Sequence, residues 1–274
     1  MKASFIDVAG LGTRYLHAGE GLPVVMLHPV GLSADIFLRN ADSIAGRYRF
    51  IAPDLVGHGF TDPGDFRGGS PYPVLLEHMA AFLDAVAPGP MMLAGSSFGA
   101  QLAALLYFRM PQRVKKLVII GSGTCVHTEA EIQEAIPKTR ANAMAAMADP
   151  SLAAFRKRLS NLCHDPAKVP EEVLHMQLTS CARPGMVQAY KDIIGGIMDA
   201  EGGQPYRIRH RLGEIRVPTL LVWGRQDTRA RHERAVEAEG LIPDARLVSY
   251  EGCGHLPYVE YPDAFNAELA AFLA

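Results

Sequence analysis

Apolar and polar positions alternate along residues 3–8 and 12–17, around Gly10 and Gly12. A period of two predicts an antiparallel ribbon at the start of the chain. The pattern then changes. Residues 23–28, 49–53, 90–93, 114–120, 218–223 and 246–250 are short, predominantly apolar runs. Such runs mark strands buried on both faces. Helical spacing recurs between them: a helix near 34–45, one over 73–87 with Val74, Leu75, His78, Phe82 and Val86 on one side, one from Gln101 to Tyr107, and a last one over 262–273. Residues 54–70, rich in glycine and proline, read as a long loop. The order β-α-β-α-β-α-β predicts a mainly parallel sheet with helices on both faces.

The alternation stops after Ile120. Residues 125–205 hold no strand pattern and read as amphipathic helices separated at Pro137, Pro150, Pro166, Pro170 and Pro184. The expected division is a core domain of 1–124 and 206–274 with a helical insertion of 125–205. A purely structural insertion and a lid over a site predict the same pattern. The methionines of this stretch (Met144, Met147, Met176, Met186, Met198) suit either a core or an apolar pocket.

Composition narrows the class. The chain has 274 residues, 49% hydrophobic, with a formal net charge of −2. That is enough for one large core, and it gives no electrostatic reason to expect nucleic acid or an anionic membrane as partner. No apolar run approaches the roughly 20 residues of a membrane span, and the first residues carry no secretory pattern. Cys125, Cys163, Cys181 and Cys253 are widely spaced, without metal-like pairing. Free thiols in a reducing cytoplasm are the expectation. Neither a metal nor a cofactor is called for; the expected partner is a small-molecule substrate, and a homo-oligomer is left open.

The chemistry starts at Gly95-Ser96-Ser97-Phe98-Gly99, between an apolar strand and a helix. A G-x-S-x-G in that context is a nucleophile elbow: the turn is tight, its flanks must be small, and the hydroxyl stands above the sheet at a helix N-terminus. A serine hydroxyl needs a base, and the base needs an acid to fix its tautomer. In an open α/β sheet these groups lie past the carboxyl ends of strands. Asp227 follows the strand ending at Trp223, and His255 lies in a glycine-rich loop past Tyr250. Asp54 is a rival acid, but it precedes Ser97. The oxyanion donors should be the backbone N–H of Phe98 and one from the loop after His28; Pro29 has none, so Val30 is the candidate.

Five pieces, Leu27-His28-Pro29-Val30-Gly31, Pro53-Asp54-Leu55-Val56-Gly57-His58-Gly59, Gly95-Ser96-Ser97-Phe98-Gly99, Trp223-Gly224-Arg225-Gln226-Asp227 and Gly252-Cys253-Gly254-His255, occur in the order found in α/β-hydrolases, which the chain resembles over its whole length. The resemblance implies the α/β-hydrolase fold with a helical lid and a Ser97, Asp227, His255 triad. It makes His58 structural and gives His28 the shaping of the oxyanion loop. Serine at the elbow argues against relatives that cleave carbon–halogen bonds or epoxides. Within the insertion, Ser180-Cys181-Ala182-Arg183-Pro184-Gly185-Met186-Val187-Gln188-Ala189-Tyr190 is similar to the lid segment of meta-cleavage product hydrolases, which cut a carbon–carbon bond in dienoic diketo acids. That likeness implies that Arg183 binds the oxygen-rich end of a 2-hydroxy-6-oxo-dienoate. Ser96 and Leu256 stand where that subfamily usually has Asn and Trp; both are candidate substrate contacts, and both point toward ester or lactone hydrolysis instead. A non-catalytic small-molecule receptor on the same fold is a third reading, separated from the others by turnover.

Overall fold

The computed structural model describes residues 1–66 and 69–274. Arg67 and Gly68, in the loop expected over 54–70, lie outside the described residues. Eight strands form one sheet in the order β1-β2-β4-β3-β5-β6-β7-β8. They are β1 (Lys2–Val8), β2 (Leu11–Ala18), β3 (Pro23–Leu27), β4 (Arg49–Pro53), β5 (Met91–Ser96), β6 (Val114–Ile120), β7 (Thr219–Gly224) and β8 (Ala245–Tyr250). β1 and β2 pair antiparallel, as does β2 with β4; every later pairing is parallel. The alternating start of the chain is thus the ribbon that caps one edge, and the apolar runs are the buried strands except for β8, the opposite edge of the sheet, which is only partly buried.

Helices α1 (Ala41–Ala45), α2 (Tyr72–Val86) and α3 (Phe98–Arg109) alternate with the first strands. Between β6 and β7 come α4 (Gly123–Val126), α5 (Glu129–Ala148), α6 (Leu152–Ser160), α7 (Glu171–Cys181), α8 (Met186–Ile197) and α9 (Ala200–Gly203). α10 (His232–Leu241), α11 (Pro257–Glu260) and α12 (Pro262–Leu273) complete the chain. Apolar side chains of α2, α3 and α10 fill one face of the sheet, and those of α1 and α12 the other. The chain therefore has the α/β-hydrolase architecture, with a mostly parallel sheet between helical layers. Among the described residues no helix is long and apolar enough to cross a membrane. All four cysteines are free.

Two expectations about helices are corrected. The single helix near 34–45 is instead a 3-10 turn, Ala34–Phe37, followed by the short α1. Side chains compete with helix continuation there: the Ala34 N–H donates to Asp54 Oδ1 and Asp35 is drawn onto Arg14. Pro137 does not separate helices; it lies inside α5. A capping box, Thr128 with Glu131, starts α5, and burial of Ile132, Ala143, Ala146 and Met147 carries it through the rung that proline deletes.

The loops that build the site hang on one buried ion network. Arg14 on β2 donates two hydrogen bonds of 2.8 Å to the Asp35 carboxylate and one of 3.1 Å to Asp54 Oδ2. Asp54 also accepts the N–H groups of Ala34 and Phe60, both at 2.8 Å. Burial disfavours the charge on Asp35, but the Arg14 guanidinium outweighs it and holds the carboxyl below its usual range. The same network ties the loops after β3 and β4 to the sheet. Arg14→Met leaves two buried carboxylates without their cation. We expect a loss of about 3–5 kcal/mol and a Tm lowered by roughly 10 °C in calorimetry; an unchanged Tm would contradict this role.

Candidate active site

Sheet order brings the loops together. β3, β5, β6, β7 and β8 are consecutive neighbours, so the segments leaving their carboxyl ends converge. Ser97 leaves β5 with φ 54° and ψ −118°, a left-handed conformation that a non-glycine residue holds only under constraint. The constraints are visible. The Ser97 N–H donates to Ile120 O at 2.8 Å, and Ser122 Oγ donates to Ser97 O at 2.8 Å. The glycines on either side are obligatory: a Cβ at Gly95 would overlap the Gly99 carbonyl, and one at Gly99 the Leu27 carbonyl.

Asp227 follows β7. Its Oδ1 accepts the N–H groups of Arg229 at 2.7 Å and Ala230 at 3.0 Å, while Trp223 Nε1 donates to Ala230 O at 2.8 Å. The loop is thereby wrapped around the carboxylate and leaves Oδ2 facing His255 Nδ1 at 2.8 Å. A carboxylate only accepts, so Nδ1 carries the proton and Nε2 is the basic nitrogen. Gly121, read from sequence only as a strand end, has φ +50°; a Cβ there would come within 3.3 Å of Asp227 Oδ2. The His255 N–H donates to Leu162 O at 2.7 Å, from the helical segment. Buried Glu260 completes that link: Oε1 accepts the Gly254 N–H, and Oε2 accepts those of His164 and Asp165.

Ser97 and His255 face one cavity of about 130 Å³, with Val30 and Phe98 also in its wall. Among the described residues no hydrogen bond joins Ser97 to His255, and the backbone N–H groups of Val30 and Phe98 have no partner. Phe98 is the first residue of α3, where an N–H has no intrahelical acceptor. At Val30 the cause is the preceding peptide. Pro29 O accepts from His28 Nδ1 at 2.8 Å and from the Leu32 N–H at 3.2 Å, and a trans peptide then turns the Val30 N–H the opposite way. Arg158 of α6 fixes the next two carbonyls, donating to Val30 O at 3.0 Å and Gly31 O at 2.8 Å.

Of the residues expected to contact substrate, four stand outside the cavity wall. His28 is fully buried behind it; its Nε2 accepts the Leu55 N–H at 3.0 Å, and it acts on the loop, not on the cavity. Ser96 points into the protein, its Oγ buried near the Tyr258 hydroxyl. Leu256 is buried core. Arg183 donates to Gly59 O and Thr61 O, both at 3.0 Å, and lies 3.6 Å from Asp62 Oδ1. Asp54, the rival acid, is consumed by Arg14. The wall instead contains Tyr190, the end of the lid-like segment, and residues that sequence reading passed over: Arg158, Arg207, Arg229 and His127. Their only signal was position within helical or post-strand segments, and cavity-facing arginines look like surface ones in a linear sequence. Met198 lines the cavity, while Met147 and Met186 line a smaller one beside it.

A family model described as the alpha/beta hydrolase fold matches residues 23–262. The chain belongs to that family. It is 29% identical to a 2-hydroxymuconate semialdehyde hydrolase from Pseudomonas putida, over 98% of this chain and 93% of the relative. It is 27% identical to a pimeloyl-[acyl-carrier protein] methyl ester esterase from Nitrosospira multiformis, over 93% and 95%. Among solved structures, a meta-cleavage product hydrolase from Pseudomonas fluorescens IP01 superposes with a TM-score of 0.80 at 25% identity, covering 98% of this chain and 97% of that one. The protein is an α/β-fold hydrolase.

The loop after β3 rests on buried neutral imidazoles. His58 packs 5.2 Å from the His28 ring; burial, then the charge His28 would carry, push it down to about 3, and burial lowers His28 as well. The unfolded chain protonates both from about pH 6.5 downward. Their contribution is therefore complete above that pH and is lost as pH falls toward 3, by up to ~1.4 kcal/mol per unit per histidine. We expect Tm to fall steadily between pH 7 and 5, and His58→Gln to flatten the slope. A Tm independent of pH in that window would be inconsistent with neutral burial.

Proposed function

We propose that Ser97 is a nucleophile activated by His255 and Asp227, and that the protein hydrolyses a carbon–carbon bond next to a carbonyl in a 2-hydroxy-6-oxo-dienoate-type substrate. One observation carries the reading: the imidazole whose Nδ1 is held 2.8 Å from Asp227 faces the cavity onto which Ser97 opens. In this scheme His255 Nε2 accepts the Ser97 proton as Oγ attacks the carbonyl. Asp227 stabilises the imidazolium, and the N–H groups of Val30 and Phe98 receive the oxyanion. The proton then passes from His255 to the departing carbon, and water releases the acid from Ser97. The contact between Ser97 and His255 tightens when substrate excludes water, as catalytic hydrogen bonds often do. Helices α5, α6 and α8 serve as the lid, since Ile132, Asn142, Arg158 and Ile194 contribute to the wall.

The choice of bond draws on the similarity to the two dienoate-type hydrolases named above. A second reading, ester or lactone hydrolysis, is favoured by Arg183, whose guanidinium is engaged by the Gly59 and Thr61 carbonyls rather than available to a dienoate, and by the similarity to a methyl ester esterase.

Ser97→Ala should abolish hydrolysis of p-nitrophenyl acetate with the circular dichroism spectrum unchanged. Asp227→Asn should lower kcat by about 10⁴, because the wrong tautomer of His255 is then favoured. Retained activity in Ser97→Ala would remove it from the mechanism. For the bond, loss of visible absorbance from a 2-hydroxy-6-oxo-dienoate is compared with a panel of short esters and lactones; turnover of the panel alone would end the carbon–carbon reading.

A further inference from the structure

Three arginines line the cavity that holds Ser97 and His255. Two are accounted for. Arg158 spends its guanidinium on Val30 O, Gly31 O and Gln177 Oε1. Arg207 lies 3.7 Å from the Glu129 carboxylate, with Nη1 3.5 Å from the Tyr72 hydroxyl. Arg229 is different. Among the described residues its guanidinium makes no hydrogen bond and no ion pair; its Nε, like that of Arg207, is sealed from solvent without a hydrogen-bond partner, but Arg207 has the Glu129 carboxylate nearby and Arg229 has no such acid to itself. The nearby acid is no remedy: Asp227 has Oδ1 on two backbone N–H groups and Oδ2 on His255. Burial lowers the Arg229 pKa, the field of Asp227 opposes that, and the positive Arg158 adds to it. Much of the remaining wall is apolar, including Ile132, Ile136, Leu162, Ile194 and Ile197.

A half-buried guanidinium with a sealed, unpartnered donor costs stability unless something else satisfies it. The side chain is positioned by its own backbone, whose N–H is fixed to the triad acid, so it is presented to the cavity two residues after Asp227. We propose that Arg229 is the specificity-determining residue of this site and takes a carboxylate on the substrate, remote from the carbonyl that Ser97 attacks. The substrate class is therefore an acyl compound carrying a free carboxylate, and the recogniser is a residue of the acid loop rather than Arg183. The planar fork gives a bidentate, charge-assisted pair inside a low-dielectric wall. The inference rests on the hydrolase reading above only for the position of the attacked carbonyl.

The test compares two esters of equal chain length, mono-p-nitrophenyl glutarate and p-nitrophenyl valerate. Wild type should prefer the glutarate by ~10–100-fold in kcat/KM, the worth of one charged hydrogen-bonded pair. Arg229→Met should erase the preference, chiefly through KM, and Arg229→Lys should restore part of it. Calorimetric titration with glutarate reads the same site without turnover and should lose affinity at least ~10-fold in Arg229→Met. A wild type that hydrolyses both esters equally, or a preference that survives in Arg229→Met, overturns the proposal. If neither ester is turned over but glutarate binding still depends on Arg229, the hydrolase reading fails and the carboxylate site stands; glutarate binding indifferent to Arg229 overturns the site itself.

Discussion

The backbone of Ser97 is the constraint on which the site depends. A left-handed φ of 54° at a residue with a Cβ costs of order 1–3 kcal/mol and survives only where the surroundings over-determine it. Here they do. β5 sits between β3 and β6, the Ser97 N–H is tied to Ile120 O, and its carbonyl to Ser122 Oγ. Gly95 and Gly99 allow β5, α3 and the end of β3 to approach so closely that a methyl group would overlap a carbonyl at either position. What the strain achieves is placement. The hydroxyl stands at the start of α3, where the first N–H groups have no intrahelical acceptor, and Val30 of the loop after β3 lines the same cavity.

The helical segment between β6 and β7 is wired into both halves of this arrangement. Arg158 on α6 grips the carbonyls of Val30 and Gly31, so a helix 127 residues further along the chain fixes the loop that offers the second N–H. Leu162 O holds the His255 N–H, and Glu260 bridges Gly254 to His164 and Asp165. The packing is tight on both sides: a Cβ at Gly31 would run into Tyr190 and Arg158, and one at Gly254 into the backbone of residues 162–164. Any movement of α6 would therefore be felt at the Val30–Gly31 loop and at His255 together. This is a mechanical reason for the segment to bear on the chemistry, beyond covering it.

The sheet, the elbow and the residues Asp227 and His255 were legible in the sequence because each signal is local. An apolar run, a glycine two residues on each side, or an acid just past a strand can be read without knowing its neighbours. What was not legible depends on contacts between distant residues. Arg183 sits in a segment that resembles a substrate-binding lid, yet its partners are carbonyls more than 120 residues away. Ser96 and Ser97 are adjacent in sequence but face opposite sides, one into the core and one into the cavity. Pro137 looked like a helix break, and only the burial of α5 on both sides of it outweighs the missing rung. Gly121 looked like punctuation, and its need for a bare Cα appears once Asp227 and His255 are beside it.

Among the described residues of the cavity wall, electrostatics separates Arg158 and Arg207, whose guanidinium groups are engaged by the protein, from Arg229, whose guanidinium is not. Buried cations are tolerated when their donors are consumed, and the chain consumes nearly all of them. Arg14 is neutralised by Asp35 and Asp54, Arg158 is spent on carbonyls, and Arg207 lies against Glu129. The acid that could neutralise Arg229 cannot turn toward it without releasing His255 from the tautomer that makes Nε2 basic. Pairing Arg229 internally and orienting the base are thus competing uses of one carboxylate. The fold resolves the competition in favour of the base. The resulting deficit of negative charge falls inside the cavity, where an incoming carboxylate would be the group to fill it.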